Sequence, residues 1–205
     1  MATHLYRGRS GGHFFCTFTC WEWLPLIEAT SLYDHLYAWM HAVTAKGCRI
    51  TGFVLMPNHV HLLIFVPEGL AINALLANLK RFAAYEIIAR LQQRGETHLL
   101  SQLSDARTLG DKVRQQRHRV WRTSSDIKEC TSPGSLLQKL NYIHANPVKG
   151  KWSLAPDAIQ YVHSSAAFYA AGTRGRAPLT HYQEVDGTPS GSRDPLGTHT
   201  SLRRP

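Results

Sequence analysis

The stretch from Phe53 to Val66, Phe-Val-Leu-Met-Pro-Asn-His-Val-His-Leu-Leu-Ile-Phe-Val, admits few folds. Apolar, strand-forming runs flank Pro57-Asn58, a turn pair, so Arg49 to Leu55 and His59 to Val66 read as a hairpin or a bent strand pair. A strand sends residues i and i+2 to the same side, which puts His59 and His61 on one face and Val60 on the other. A single histidine in an apolar run is ordinarily a satisfied core residue. Two in register expose four ring nitrogens that an apolar face cannot satisfy, and this points to a metal or phosphate site.

The remaining patterns build around that pair. His13 to Trp21 is aromatic and β-branched and reads as a first strand, entered through Gly11-Gly12. Leu32, Leu36, Trp39, Met40 and Val43 predict a helix over 32–45, with Ser31 as its cap and Gly47 as its stop. Ile72, Leu75, Leu76, Leu79, Ala83 and Ile87 mark a second, longer helix. Residues 93–116 are polar and read as a mobile connection holding one short helix, and 117–127 as a basic strand. Ser132-Pro133-Gly134 opens a third helix, which ends near Asn146 because Pro147 forces an exit.

The order β-α-β-β-α-β-α predicts an α+β domain: a mainly antiparallel sheet with helices packed on one face and the histidine pair on a central strand. A ferredoxin-like arrangement is the economical one. From Gly172 onward the chain is rich in Gly, Pro, Ser, Thr and Arg without apolar periodicity. We therefore expect a domain over 1–171 and a flexible basic tail over 172–205.

Lys and Arg number 23 against 14 Asp and Glu, a net charge of +9. Such a surplus favours a polyanionic partner, although it also serves solubility. No run approaches the roughly 18 apolar residues of a spanning helix, and Met1 to Ser10 lacks a signal-peptide core. A soluble, cytoplasmic protein without membrane contact is the expectation. The four cysteines form no CxxC pair and read as buried free thiols.

The third helix carries the second informative segment, Leu140-Asn-Tyr-Ile-His-Ala-Asn-Pro-Val148. Leu136, Leu140 and Ile143 share a stripe, while Tyr142 lies roughly 130° from its centre, with Asn146 one turn later. Alone, this would be a surface hydrogen-bonding pair. Beside the histidines it becomes a candidate nucleophile next to a third metal ligand. Tyr85 also leaves the apolar stripe of its helix, near Arg81, so the pattern by itself keeps both tyrosines open.

The segments Met56-Pro-Asn-His-Val-His-Leu-Leu-Ile64 and Tyr142-Ile-His-Ala-Asn-Pro-Val148, with Ser164-Ser165 and the later Tyr169, resemble the single-tyrosine HUH transposases of small bacterial insertion sequences. The likeness spans roughly 10–170 and is strongest to their domesticated branch, the REP-associated tyrosine transposases. It implies an HUH palm and a metal-dependent single-stranded DNA endonuclease and strand transferase acting on DNA hairpins through a 5′-phosphotyrosine. By position, His59, His61 and Asn146 would bind Mg²⁺ or Mn²⁺ and Tyr142 would attack. Mobile members carry glutamine where this chain has Asn146. Lys80, Arg81, Arg114, Arg117, Arg119 and Arg122 are candidates for phosphate contacts, and Trp121, Tyr161 and His163 for base stacking. The domesticated branch resembles monomers acting in cis, and no long apolar surface strand or heptad marks an interface here, so a monomer is expected. The alternative is a hairpin-binding protein with little or no cleavage.

Overall fold

A computed structural model of the chain describes residues 11–113, 115–123, 125–150 and 153–185. β1 (Gly12–Thr19) leads through a 3-10 turn (Trp21–Trp23) to the short α1 (Leu26–Ala29) and then α2 (Tyr33–Thr44). β2 (Arg49–Leu55) and β3 (His59–Val66) follow, then α3 (Ile72–Gln93), α4 (Thr97–Asp105) and α5 (Leu109–Val113). β4 (Asp126–Glu129), α6 (Pro133–Ala145) and α7 (Ala166–Ala171) complete the elements.

The sheet has the order β2-β3-β1-β4 with every neighbouring pair antiparallel. Each crossover therefore skips one strand, β1 to β2 by way of α2 and β3 to β4 by way of α3, which is the split arrangement of a ferredoxin-like sheet. β3 lies inside, bonded on both edges. The pleat sends Val60, Leu62, Ile64 and Val66 into a core with Leu36 and Met40 of α2 and Leu76, Leu79, Ala83 and Ile87 of α3.

The opposite face is also covered, so helices lie on both faces rather than one. Phe15, Val54 and Leu63 meet Leu136, Leu140 and Ile143 of α6 there. Ser132 starts α6 with a reciprocal capping box to Ser135, and Pro133 suits its first turn. Pro147 has no N–H to continue the ladder, and the chain tightens into a 3-10 turn at Asn146–Val148.

Gly52 sets the depth at which α6 rests on the sheet, because a Cβ there would stand 2.7 Å from Leu140 Cδ1 and 3.4 Å from Leu63 Cβ. Gly52→Val should lower stability by about 1–3 kcal/mol through overpacking, read from urea denaturation midpoints.

Four further expectations are corrected. The basic segment 117–127 is a strand only from Asp126: ahead of it Arg119 N bonds Leu103 O, and Val120 to Arg122 meet Trp21 to Thr19 through the Trp21 N to Val120 O bond, an isolated Trp121–Cys20 bridge and the Arg122 N to Thr19 O bond. Its pairing with the end of β1 is thus one bridge long, and the continuous strand starts at Asp126. The connection after α3 contains two helices, because Leu99, Leu100 and Leu103 give α4 an apolar side that packs on the first core. Ser31 does not cap α2; it stands at φ 51 and its carbonyl accepts from Arg90, while the N-cap is Leu32. The tail boundary at 172 falls too early. Leu179 bridges Ile50, Thr180 N bonds Ile50 O at 3.0 Å, and Tyr182 and Val185 are buried, so the packed structure runs on to Val185. The expected tail beyond that point lies outside the described residues.

Among the described residues, no helix is long and apolar enough to cross a membrane. The four cysteines are buried free thiols.

Candidate functional site

His59 and His61 emerge from β3 on the α6 face, buried at 4 % exposure each, with ring centroids 4.8 Å apart. Thr17 lies opposite His61 on β1 and Val54 opposite it on β2, so the neighbouring strands fix both of its sides. Burial pushes the His61 imidazole down to about 3, with the nearby His59 and Lys139 adding to the effect. Burial also lowers His59, against a smaller opposing effect of the neighbouring Asn146. Both rings are therefore neutral at physiological pH, the form in which imidazole offers a lone pair.

Hydrogen bonds decide which nitrogen offers it. The Asn58 amide Nδ2 donates to the Trp23 carbonyl at 2.9 Å, which can only accept. Asn58 Oδ1 is thereby turned to His59 Nδ1 at 2.7 Å, and that nitrogen must donate. The lone pair of His59 then sits on Nε2, 3.4 Å from Asn146 Oδ1. Asn146 is oriented by the same logic, since its Nδ2 donates to the Tyr142 carbonyl at 3.0 Å and leaves Oδ1 for the histidines. The hydroxyl of Thr17 pairs with His61 Nδ1 at 2.8 Å. Such outer partners orient the imidazoles of metal sites.

Tyr142 leaves α6 half exposed and stands beside the pair, its ring centroid 5.0 Å from that of His61. Phe15 joins them, stacked on His61 at 5.6 Å and edge-on to Tyr142 at 5.9 Å, with Lys139 Nζ 4.8 Å above its ring. These groups, with Trp23, Asn146, Asp126 and Lys128, line one cleft of about 440 Å³. Two imidazoles and an amide oxygen form a three-donor set that fits a hard or borderline divalent cation and leaves positions for phosphate oxygen and water. Among the described residues no cluster of three His, Cys, Asp or Glu competes with it.

Tyr85 goes elsewhere. It is exposed and lines a larger cleft of about 790 Å³ between α3 and the 115–123 segment, with Lys80, Arg81, Arg117, Arg119, Trp121 and Arg122. The candidate cations are brought together there, but not all on equal terms. Lys80 Nζ is committed to Ser125 Oγ at 2.8 Å, and burial lowers it to about 8. Arg119 lies over the Trp21 ring at 4.2 Å and bonds the Thr123 hydroxyl and the Ala106 carbonyl, which makes it a latch across the segment. Arg81, Arg117 and Arg122 are exposed. Arg114 lies outside the described residues.

The three expected stacking residues are used internally. Trp121 donates to the Lys80 carbonyl and packs edge-on to Phe18, buried Tyr161 donates to the Leu55 carbonyl, and His163 stacks on Tyr33 at 3.7 Å. Sequence reading missed Phe15, Thr17, Trp23, Asn58 and Lys139. Asn58 could have been found, since a polar residue abutting the histidine pair is a natural orienting partner, and so could Lys139, one helical turn before Tyr142 on α6; Phe15, Thr17 and Trp23 come from a strand and a turn whose register no local pattern reveals.

Residues 26–115 match the family described as Transposase IS200 like. The matched segment contains His59, His61 and Tyr85 and ends before Tyr142 and Asn146. No curated protein matches the chain. Among solved structures, the chain is similar to a REP-associated tyrosine transposase bound to a REP hairpin, with 15% identity and a TM-score of 0.54 over 94% of this chain and 100% of that one. It is also similar, with 17% identity and a TM-score of 0.38, to a candidate transposase from Deinococcus radiodurans R1, over 67% of this chain and 94% of that one. The first likeness speaks for the fold, and the second is too loose in shape to bear on it.

Proposed function

We propose that the chain is an IS200-like transposase, the family whose model matches residues 26–115, and that it cuts and rejoins single-stranded DNA beside a hairpin through a covalent bond to Tyr142. The observation that carries this reading is the meeting of Tyr142, His59, His61 and Asn146 in one cleft of a single chain. The similar structure with a bound REP hairpin supports hairpin DNA as the partner class. A site complete within one chain favours action in cis and a monomer.

His59 Nε2, His61 and Asn146 Oδ1 would hold Mg²⁺ or Mn²⁺. Such a cation, when bound, neutralises charge on the scissile phosphate. The chain's own groups do the rest. Tyr142 supplies the phenol oxygen that bonds to phosphorus as the bond to the 3′ oxygen breaks; the phenol loses its proton and the departing 3′ oxygen gains one. The product is a 5′-phosphotyrosine and a free 3′ hydroxyl. Because the link keeps the energy of the phosphodiester, a 3′ hydroxyl from another strand reverses the step without ATP. Lys139 adds positive charge around the phosphate, whereas Lys128 is paired with Asp126 at 3.2 Å. Phe15 holds the Tyr142 and His61 rings at a fixed spacing.

A labelled hairpin with single-stranded flanks should give a retarded band on denaturing electrophoresis when Mg²⁺ or Mn²⁺ is present, and fully duplex DNA should give none. Equal adduct yields from duplex and single-stranded DNA would contradict the assignment. Asn58→Ala removes the acceptor that fixes the His59 tautomer, and should weaken Mn²⁺ affinity by roughly 10- to 100-fold. Calorimetric titration checks it, and unchanged affinity would take Asn58 out of the site.

A further inference from the structure

Trp23 is half exposed, at 49 %, in the cleft that holds His59, His61 and Tyr142. Its backbone stands at φ 61, directly after Glu22 at φ 47, two consecutive side-chain-bearing residues in the left-handed region that favours glycine. That strained turn is held from several sides: Trp23 N bonds Cys20 O at 3.2 Å, Leu24 N bonds Trp21 O at 3.0 Å, and Trp21 N bonds Val120 O at 2.8 Å. Such conformations persist only where the surroundings over-determine them, and they gather at functional sites. The consequence here is that the indole is carried out of the core to the rim of the cleft. Its aromatic contact among the described residues is His59, met at 79° with centroids 5.7 Å apart, so the two rings are not stacked. The Arg122 guanidinium lies 5.6 Å from the indole centroid, where the basic cleft adjoins the histidine cleft. An indole needed only to steady His59 would be buried, and Asn58 already does that work with a 2.7 Å bond.

We propose that Trp23 is a stacking platform for one unpaired base next to the reacting phosphate, with Arg122 on that nucleotide's phosphate. A base inside a duplex has both faces covered by its neighbours; only an unpaired or terminal base can offer one to a ring. Stacking tolerates any base, so this contact selects strandedness and register rather than sequence. It rests on the reading of the site as a single-stranded DNA site and adds the residue that positions the strand.

The test couples protein and DNA changes in a binding assay without divalent cation. Abasic nucleotides are scanned through the unpaired flanks of the hairpin and affinities are read by fluorescence anisotropy. In the wild type, one position near the cleavage phosphate should lose roughly 5- to 150-fold. Trp23→Leu should lose a similar factor on intact DNA and show no further loss at that position, whereas Trp23→Phe should keep most of the coupling. In the wild type, 5-iodouracil at the same position should photo-cross-link to Trp23, a result independent of how the variants fold. Abasic penalties that survive in Trp23→Leu at every position, or a cross-link to another residue, would overturn the proposal. A covalent adduct without this coupling sinks the Trp23 assignment alone; coupling without any adduct sinks the cleavage reading alone.

Discussion

Tyr142→Phe should abolish the covalent protein–DNA product and reduce strand cleavage by at least about 10³-fold, as expected when a nucleophile is removed. The same variant should fold and bind hairpin DNA as the wild type does. Only the hydroxyl is lost, from a side chain that is 50 % exposed, and the ring contacts to His61 and Phe15 are retained. Stability should change by less than about 0.5 kcal/mol. Tyr85→Phe is the matched control. Tyr85 lies in the basic cleft, apart from the histidines, and its phenylalanine variant should keep the adduct and change affinity at most. An adduct lost in Tyr85→Phe but kept in Tyr142→Phe would move the chemistry to the other cleft.

His61→Ala should lower metal-dependent cleavage by about 10²-fold or more, the scale of losing one preorganised electrostatic partner of the transition state, and should leave much of the hairpin affinity. That asymmetry follows from where the charges lie. Exposed Arg81, Arg117 and Arg122 line the basic cleft, whereas His61 is neutral and buried beneath Tyr142. His61→Ala also removes the stacking partner of Phe15 and the bond to Thr17, so its melting temperature has to be measured alongside. A parallel fall in folding, hairpin binding and cleavage would assign His61 to the core instead.

The histidine pair and its strand were legible in the sequence because a two-residue period fixes a face whatever the tertiary partner. α6 was legible for a related reason: Ser132-Pro133 marks its start and Pro147 its end by local chemistry. What escaped was set by contacts between distant segments. The 117–123 run has the composition of a basic strand, yet Val120 and Trp121 are drawn onto the core, Arg119 N bonds Leu103 O, and the pairing with Thr19 to Trp21 is limited to one bridge. The segment after Gly172 has no periodicity, but Leu179 and Tyr182 find β2 and Tyr169 as partners. Asn146 was legible by position, and its orientation was not, because that depends on the Tyr142 carbonyl. No pattern in the sequence singled out Trp23. Its exposure follows from a pair of left-handed residues that nothing in their identities announces.

Mapping the adduct in the unmodified protein decides whether Tyr142 in the histidine cleft is the covalent catalyst. After reaction with hairpin DNA and Mg²⁺ or Mn²⁺, trypsin should release residues 140–149, which contain Tyr142 as their one tyrosine, and residues 82–90, which contain Tyr85 as theirs. Mass spectrometry should find the phosphonucleotide on 140–149. Its presence on 82–90, or tight hairpin binding with no modified peptide at all, would contradict the account; the second result would leave a hairpin-binding protein.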